Sequence, residues 1–238
     1  MTLLDTVAAE ALNYIQQQGK RPDDPRLHNG WTRFVMSLIY RNPRAIAHLR
    51  RKVRENDEAT WADIEARYDA MKGPDDPPTY REYRRAAGTS LTDEIEAKLI
   101  SSMIDNAKIG THLNNMHWRF VEYPDPKHSF LLSDDPVMMS NGLRYLDGFL
   151  IVPVGPRTIF IAVNDLRIFA AFASQGNRVQ RALNDAVVRQ ADHQVIASEE
   201  SHRKFIDKRF KTATKENNER WSGAMQRLTW NAPVIWTT

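Results

Sequence analysis

Two adjacent carboxylates interrupt an apolar stretch of the sequence, FLLSDDPVMM, at residues 130–139. Buried strands normally exclude ionised groups, so Asp134 and Asp135 are candidates either for chemistry or for a turn. The chemical interpretation is a hydrolytic, nuclease-like site in which the carboxylates serve as metal ligands or as general acid and base. In the structural interpretation, which we favour, Asp134 accepts backbone N–H groups in an Asx-type turn and Pro136 begins an edge strand.

Cationic residues are concentrated in a second stretch, YRNPRAIAHLRRKVREN, at residues 40–56. At helical spacing, several of them share a face opposite the apolar Ile46, Leu49 and Val53. Such a stripe is suited to contact the phosphates of a nucleic acid or the carboxylates of an acidic protein. The alternative is a solvated face, because acidic residues follow at once and aromatic residues do not interleave with the arginines. The predicted binding residues are Arg44, His48, Arg50, Arg51, Lys52 and Arg54.

Several catalytic and cofactor classes find no match in the sequence. The chain has no cysteine, which excludes a disulfide framework, thiol catalysis and cysteine-ligated zinc. The HExxH metal spacing, the GxSxG nucleophile elbow and the Walker-type glycine loop do not occur. The sequence therefore predicts no cofactor and no metal site by spacing, and it leaves open whether the protein is an enzyme.

Composition predicts an ordinary globular protein of one or two domains. The 238 residues are 42% hydrophobic and 26% charged, and the formal net charge of +3 permits an anionic partner without requiring one. No apolar run approaches the roughly 20 residues that span a bilayer. The first residues, MTLLDTVAAE, lack the basic start and apolar centre of a secretory signal. We therefore expect a cytoplasmic location and no membrane partner.

The elements that would position these residues change character along the chain. Apolar residues recur every three or four positions before residue 116, for example in the helix predicted around residues 31–39 and in a helix predicted from residue 90 to about 115. From Trp118 the pattern becomes one of short apolar runs separated by turn residues. The runs predicted as strands are WRFVEY, FLL, PVMM, FLIVPV, TIFIAV, IFAAFA, QVIAS and, at an edge, RLTWNAPVIWTT.

This order of elements predicts an α+β fold. We expect a helical region over residues 1–115 that packs, in one continuous globular unit, with a mainly antiparallel sheet over residues 116–238. Two helices interrupt the sheet region: one from about Asn177 to Asp192, with its apolar residues on a single face, and one in SEESHRKFIDKRF after a capping Ser198.

Several short motifs together resemble a known family. Trp118, FLLSDDP, VPVGP and LNDAVVRQADHQVIAS follow one another in the order typical of the bacterial domain-of-unknown-function family numbered 4238. The upstream FVMSLIYRNPRAIAHLR resembles the helical segment of that family, so the resemblance covers most of the chain. Members usually begin with a His-x-x-Pro segment, which this sequence lacks, so we expect a truncated or divergent member. The resemblance implies no activity.

By this resemblance, the partners of Asp134 in a polar site would be Asn184, with Gln190 or His193, around the helix that follows the strands. Asn184 lies one position from the apolar Leu183 face, where hydrogen bonds to a neighbouring strand would satisfy it without a ligand. His193 ends the helix, where a cation complements the negative helix pole. Structural roles are therefore the favoured interpretation for both residues.

Two functions of different classes follow. The first is an interaction or binding module that recognises a nucleic acid or an acidic partner through its basic helix. The second is a hydrolytic, metal-dependent enzyme that uses Asp134, Asp135, Asn184 and His193. Convergence of these side chains in one pocket would favour the enzyme, whereas separate placements bonded to the backbone would favour the binding module.

Overall fold

A computed structural model of the protein describes residues 3–86, 91–123, 129–140 and 142–210, with the backbone alone at residues 3–5, 52–63, 84 and 91–96. The helices in this part of the chain are α1 (Leu3–Gln18), α2 (Pro25–Arg41), α3 (Pro43–Met71), α4 (Tyr80–Ala86), α5 (Leu91–Ile104), α6 (Ala107–Asn115), α7 (Arg167–Gln175), α8 (Asn177–Gln190) and α9 (Arg203–Asp207). A short 3-10 turn, Glu200–His202, precedes α9. No helix in these ranges combines the length and apolar character needed to cross a membrane.

The strands are short and all their pairings are antiparallel. They are β1 (His117–Glu122), β2 (Leu132–Ser133), β3 (Met138–Met139), β4 (Phe149–Pro153), β5 (Thr158–Val163) and β6 (Val195–Ile196). One sheet has the order β1-β5-β4-β3, and β2 pairs with β6 in a second, two-stranded sheet. The predicted α+β class, with helices first and an antiparallel sheet later, is confirmed.

Three local predictions were wrong. Ser198 was expected to cap a helix, but its hydroxyl donates to Ser129 and the 3-10 turn that follows it has no side-chain cap. IFAAFA was expected to be a strand, but it lies in helix α7, where Ile168, Phe169 and Phe172 bury one helical face. A short apolar run fits either a strand or a buried helix, so the spacing of apolar residues alone could not decide between the two. The helix predicted from residue 90 to about 115 is divided at Asp105 and Asn106 into α5 and α6. The predicted edge strand RLTWNAPVIWTT lies outside the described residues.

Contacts divide the chain into two units, residues 1–39 with 107–238 and residues 40–106. In the first unit, apolar side chains cover both faces of the four-stranded sheet. Trp31 of α2 packs against Phe120 and Phe160 on one face, with ring centroids 5.8 and 5.5 Å away. On the other face, Ile151 and Ile161 share a buried cluster with residues of α7 and α8. The change from helical spacing to short apolar runs near Trp118 thus marks the start of the sheet. Within this unit, the sheet packs against the helices of the same unit.

Helices α1 and α2 approach each other closely at Gly30. A Cβ atom added there would lie 2.3 Å from Cγ1 of Val7, so only glycine fits without movement. In the second unit, α4 and α5 pack against α3. Asn42 starts α3 by accepting the backbone N–H of Ala45 at 2.8 Å, and Pro43 occupies the first helical turn.

Candidate functional site

The Ser-Asp-Asp-Pro element lies beside the C-terminal end of α8. Asp134 follows β2, and its two carboxylate oxygens accept the backbone N–H groups of Asp192, at 3.0 Å, and His193, at 2.7 Å. Its own N–H donates to the carbonyl oxygen of Gln194 at 3.4 Å. These three bonds fix the turn after β2 to the chain that leaves α8. The carboxylate is therefore used by backbone donors, as expected, but these lie 58 and 59 positions later in the chain and do not form the local Asx-type turn that was predicted.

The neighbouring residues of the element make similar bonds to the backbone. The hydroxyl of Ser133 accepts the N–H of Asp135 at 3.2 Å. The side-chain amide of Gln190, in the last turn of α8, donates to the carbonyl of Asp135 and, at 3.3 Å, to that of Val137. Pro136 is buried and the side chain of Asp135 is half-buried. The element is thus held to α8 on both sides of its proline.

Asn184 projects from α8 to the chain just before β2. Its Oδ1 accepts the N–H of Leu131 at 3.0 Å, and its Nδ2 donates to the carbonyl of Ser129 at 2.8 Å. The side chain is 6% exposed, and these two bonds satisfy its acceptor and one of its donors. Asn184 therefore satisfies backbone hydrogen-bonding groups of the segment that precedes β2.

His193 does not join Asn184 in a pocket. Only its backbone N–H contacts Asp134, while its side chain is 70% exposed and lies 3.3 Å from the carboxylate of Asp192. Across the residues whose placement the structure describes, no group of three or more histidine, aspartate or glutamate side chains could hold a metal ion. The geometry brings the candidate residues to one region of the fold, but their side chains do not converge.

A polar cluster that the sequence analysis missed lies next to this region. Ser129 is 3% exposed, and its Oγ lies 2.9 Å from Nε2 of His202. Ser198, which is exposed, donates its hydroxyl to the Oγ of Ser129 at 3.0 Å. The members are separated by up to 73 positions, so no local motif links them. The only sequence signal was the Ser198 that follows β6 in the family-like pattern.

The basic residues lie in the other unit, at the start of α3. His48, Arg50 and Arg51 are exposed, and Arg44 is half-buried. Nδ1 of His48 accepts a hydrogen bond from the guanidinium of Arg51 at 2.9 Å, so these two side chains share a face of the helix. The apolar Ile46 and Leu49 are half-buried. The side chains of Lys52 and Arg54 lie outside the described residues.

The position of these cations on the helix is electrostatically unusual. The sequence contains no acidic residue from position 41 to position 54, so every charged side chain in the first turns of α3 is positive. The helix dipole places partial positive charge at the same end, where acidic residues are normally favoured. Cations there add to the helix potential instead of cancelling it. Side-chain charge and helix dipole therefore both make the electrostatic potential at this end of the helix more positive.

Comparison with known protein families gives one result. The profile of the family described as Protein of unknown function (DUF4238) matches residues 1–201, a range that contains the Ser-Asp-Asp-Pro element, Asn184 and Ser198. Comparison with curated proteins found no match, and comparison with solved structures found none. Because the match covers most of the sequence, the chain belongs to the DUF4238 family.

Proposed function

We propose that the protein is a bacterial cytoplasmic binding module that takes a nucleic acid at the basic segment, residues 44–54 of α3. The carrying observation is the uninterrupted positive charge at the N-terminal end of this helix, with His48, Arg50 and Arg51 exposed. A nucleic acid carries phosphates at regular spacing along its backbone, so it can contact several of these cations at once. Each contact releases a counterion. Binding of this kind is sequence-independent and weakens as salt rises.

The hydrolytic alternative has less support. A general base or metal ligand needs a carboxylate that faces a substrate, and both oxygens of Asp134 accept backbone N–H groups instead. Asn184 is likewise committed to the backbone of Ser129 and Leu131. These contacts give Asp134 and Asn184, two of the residues by which the chain resembles its family, a structural role. The basic segment is therefore the better candidate for function.

The test is retention on heparin and fluorescence anisotropy with a labelled oligonucleotide, for a variant in which Arg44, Arg50, Arg51 and Arg54 are changed to Gln. We expect the variant to elute from heparin at lower salt and to lose affinity for all oligonucleotide sequences alike. In wild type, the logarithm of the affinity should fall linearly with the logarithm of the salt concentration.

A matched control separates the effect of the basic segment on binding from the effect of the protein's net charge. Changing the exposed residues Arg144, Arg178, Arg181 and Lys204 to Gln removes the same four charges from the other unit. The proposal expects this control to bind as wild type does. Equal losses in the two variants, or no binding by wild type, would contradict it. Binding of an acidic protein with no binding of oligonucleotides would assign the segment to the other class of partner.

A further inference from the structure

Strand β1 lies at one edge of the four-stranded sheet, with β5 as its neighbour. Just after β1, the N–H of Tyr123 donates to the carbonyl of Arg157 at 2.8 Å, on the β5 side. Backbone groups alternate in direction along a strand, so those of Trp118, Phe120 and Glu122 point away from β5. Among the residues that the structure describes, no backbone group bonds to these outward N–H and carbonyl groups. This side of β1 is therefore an open sheet edge.

The two faces of β1 differ in character at this edge. On the face towards α2, Phe120 packs against Trp31 with ring centroids 5.8 Å apart, yet Trp118 and Phe120 are both only half-buried. On the opposite face, His117 and Arg119 are exposed. The open edge thus carries two large aromatic side chains that an additional apolar strand on the α2 face would cover.

The end of the sequence, RLTWNAPVIWTT at residues 227–238, has the pattern of such a strand. Its apolar side chains alternate with other residues, as is typical of a half-buried strand, and they are Leu228, Trp230, Ala232, Val234 and Trp236. Pro233 has no N–H, which confines it within a sheet to an edge strand. We propose that residues 227–238 pair with the open edge of β1 as a fifth strand, with these apolar side chains over Trp118 and Phe120.

The proline and the apolar pattern select the same arrangement. Residues directly opposite each other in neighbouring strands place their side chains on the same face. If Trp230 and the residues that alternate with it lie opposite Trp118 and Phe120, their side chains lie on the α2 face. Pro233 then falls between the ladder positions, with its nitrogen towards solvent. A shift by one residue would put Pro233 into the ladder and turn the apolar side chains to the polar face of β1.

The chain can reach this edge. Phe210, the last described residue, packs against the same buried cluster as Val121 of β1. Residues 211–226 could extend over roughly 50 Å, whereas a four-stranded sheet is about 15 Å wide. A segment of the same chain also has a high effective concentration at the edge, which favours it over a separate molecule. Covering the edge in this way prevents association of two molecules through β1.

The test is amide hydrogen exchange of the full chain, resolved to single residues by NMR. In wild type we expect the amides of Trp118, Phe120 and Glu122 to exchange slowly at every protein concentration. Ala232→Pro removes an N–H that the proposed ladder uses, so exchange of these three amides should accelerate at least about tenfold. Asn231→Pro is the matched control because the N–H of Asn231 faces solvent in the proposed pairing, and it should leave the exchange unchanged.

A second pair of variants tests the face. Trp230→Asp should accelerate exchange of the same three amides, whereas Ile235→Asp, on the solvent face of the proposed strand, should not. The amides of Arg119 and Val121 face β5, so their slow exchange in every variant shows that the sheet is folded.

Three outcomes would overturn the proposal. The first is fast exchange of the three outward amides in wild type, and the second is an equal effect of Ala232→Pro and Asn231→Pro. The third is slow exchange only at high protein concentration with a dimer in light scattering, which would assign the edge to a second copy of the chain. The oligonucleotide assay reads α3 and not β1, so either proposal can fail without the other.

Discussion

The carboxylate of Asp134 accepts the backbone N–H of His193 at 2.7 Å, from a residue 59 positions later in the chain. The adjacent N–H of Asp192 donates to the other oxygen at 3.0 Å. One side chain therefore closes a long loop and satisfies two of the backbone groups that follow α8. Asp134, which the sequence suggested as a candidate for catalysis, instead joins the turn after β2 to the end of α8 through these hydrogen bonds.

Asp134→Ala should destabilise the fold because it leaves those two N–H groups without their acceptor. The expected loss in free energy of unfolding is about 1 to 3 kcal/mol. Asp134→Asn keeps one acceptor oxygen, so its loss should be clearly smaller. Urea unfolding of the three proteins measures both values, and added divalent metal should change none of them. An alanine variant as stable as wild type, together with metal stabilisation of wild type alone, would contradict the structural role.

Asn184→Leu should lower the free energy of unfolding by more than removal of an exposed polar side chain does. The substitution leaves the N–H of Leu131 and the carbonyl of Ser129 buried without their partner, at about 1 to 3 kcal/mol for each unsatisfied group. Asn184→Asp keeps the acceptor but places a buried carboxylate oxygen against the carbonyl of Ser129, so it should be at least as destabilising as the leucine variant at neutral pH. Arg181→Gln, at an exposed position of the same helix, is the control. Equal stability of the leucine variant and this control would count against the assigned bonds.

His28 should make the fold less stable in weak acid. Burial, with a smaller contribution from the charge of Arg21, lowers the pKa of His28 below its ordinary value of 6.5. The unfolded chain therefore takes up the proton first as pH falls, so this contribution to stability is lost from about pH 6.5 down to the lower folded-state pKa. Thermal unfolding between pH 7.5 and pH 5 should show the loss.

His28→Phe isolates this effect because phenylalanine keeps the ring that packs edge-on against Trp118, with centroids 4.3 Å apart. It also removes Nε2, a buried atom without a hydrogen-bond partner within the described residues. The variant should lose less stability than wild type between pH 7.5 and pH 5. His117→Gln, at an exposed position, is the control. If the two variants show the same pH dependence, the burial of His28 is not its source.

Gly30→Ala should destabilise the contact between α1 and α2. The new methyl group would lie 2.3 Å from Cγ1 of Val7, whose branched side chain has little freedom to move. Overpacking of this kind costs about 1 to 3 kcal/mol, partly offset by about 1 kcal/mol of improved helix propensity. In a Val7→Ala background the same change should be neutral or stabilising. Four-way comparison of unfolding free energies measures this coupling, and additive effects would exclude the clash.

The sequence alone determined the α+β class and the family, because both depend on local patterns. Helical spacing at residues 31–39 and the short apolar runs after Trp118 specify which faces must be buried, and this information lies within a few neighbouring residues. The order of the family-like motifs is also read directly from the chain, and it agreed with the match over residues 1–201. The ambiguous IFAAFA became a helix only through the packing of Ile168 and Phe172.

The tertiary structure decided what the polar residues do. The partners of Asp134 and Asn184 are backbone N–H and carbonyl groups, which nearly every residue carries, so no sequence pattern marks them in advance. Ser129 and His202 are 73 positions apart, and only the folding of the chain around α8 brings the hydroxyl within 2.9 Å of the imidazole. A carboxylate in an apolar stretch could be recognised from sequence as one that needs donors. Which donors it finds is fixed by long-range packing.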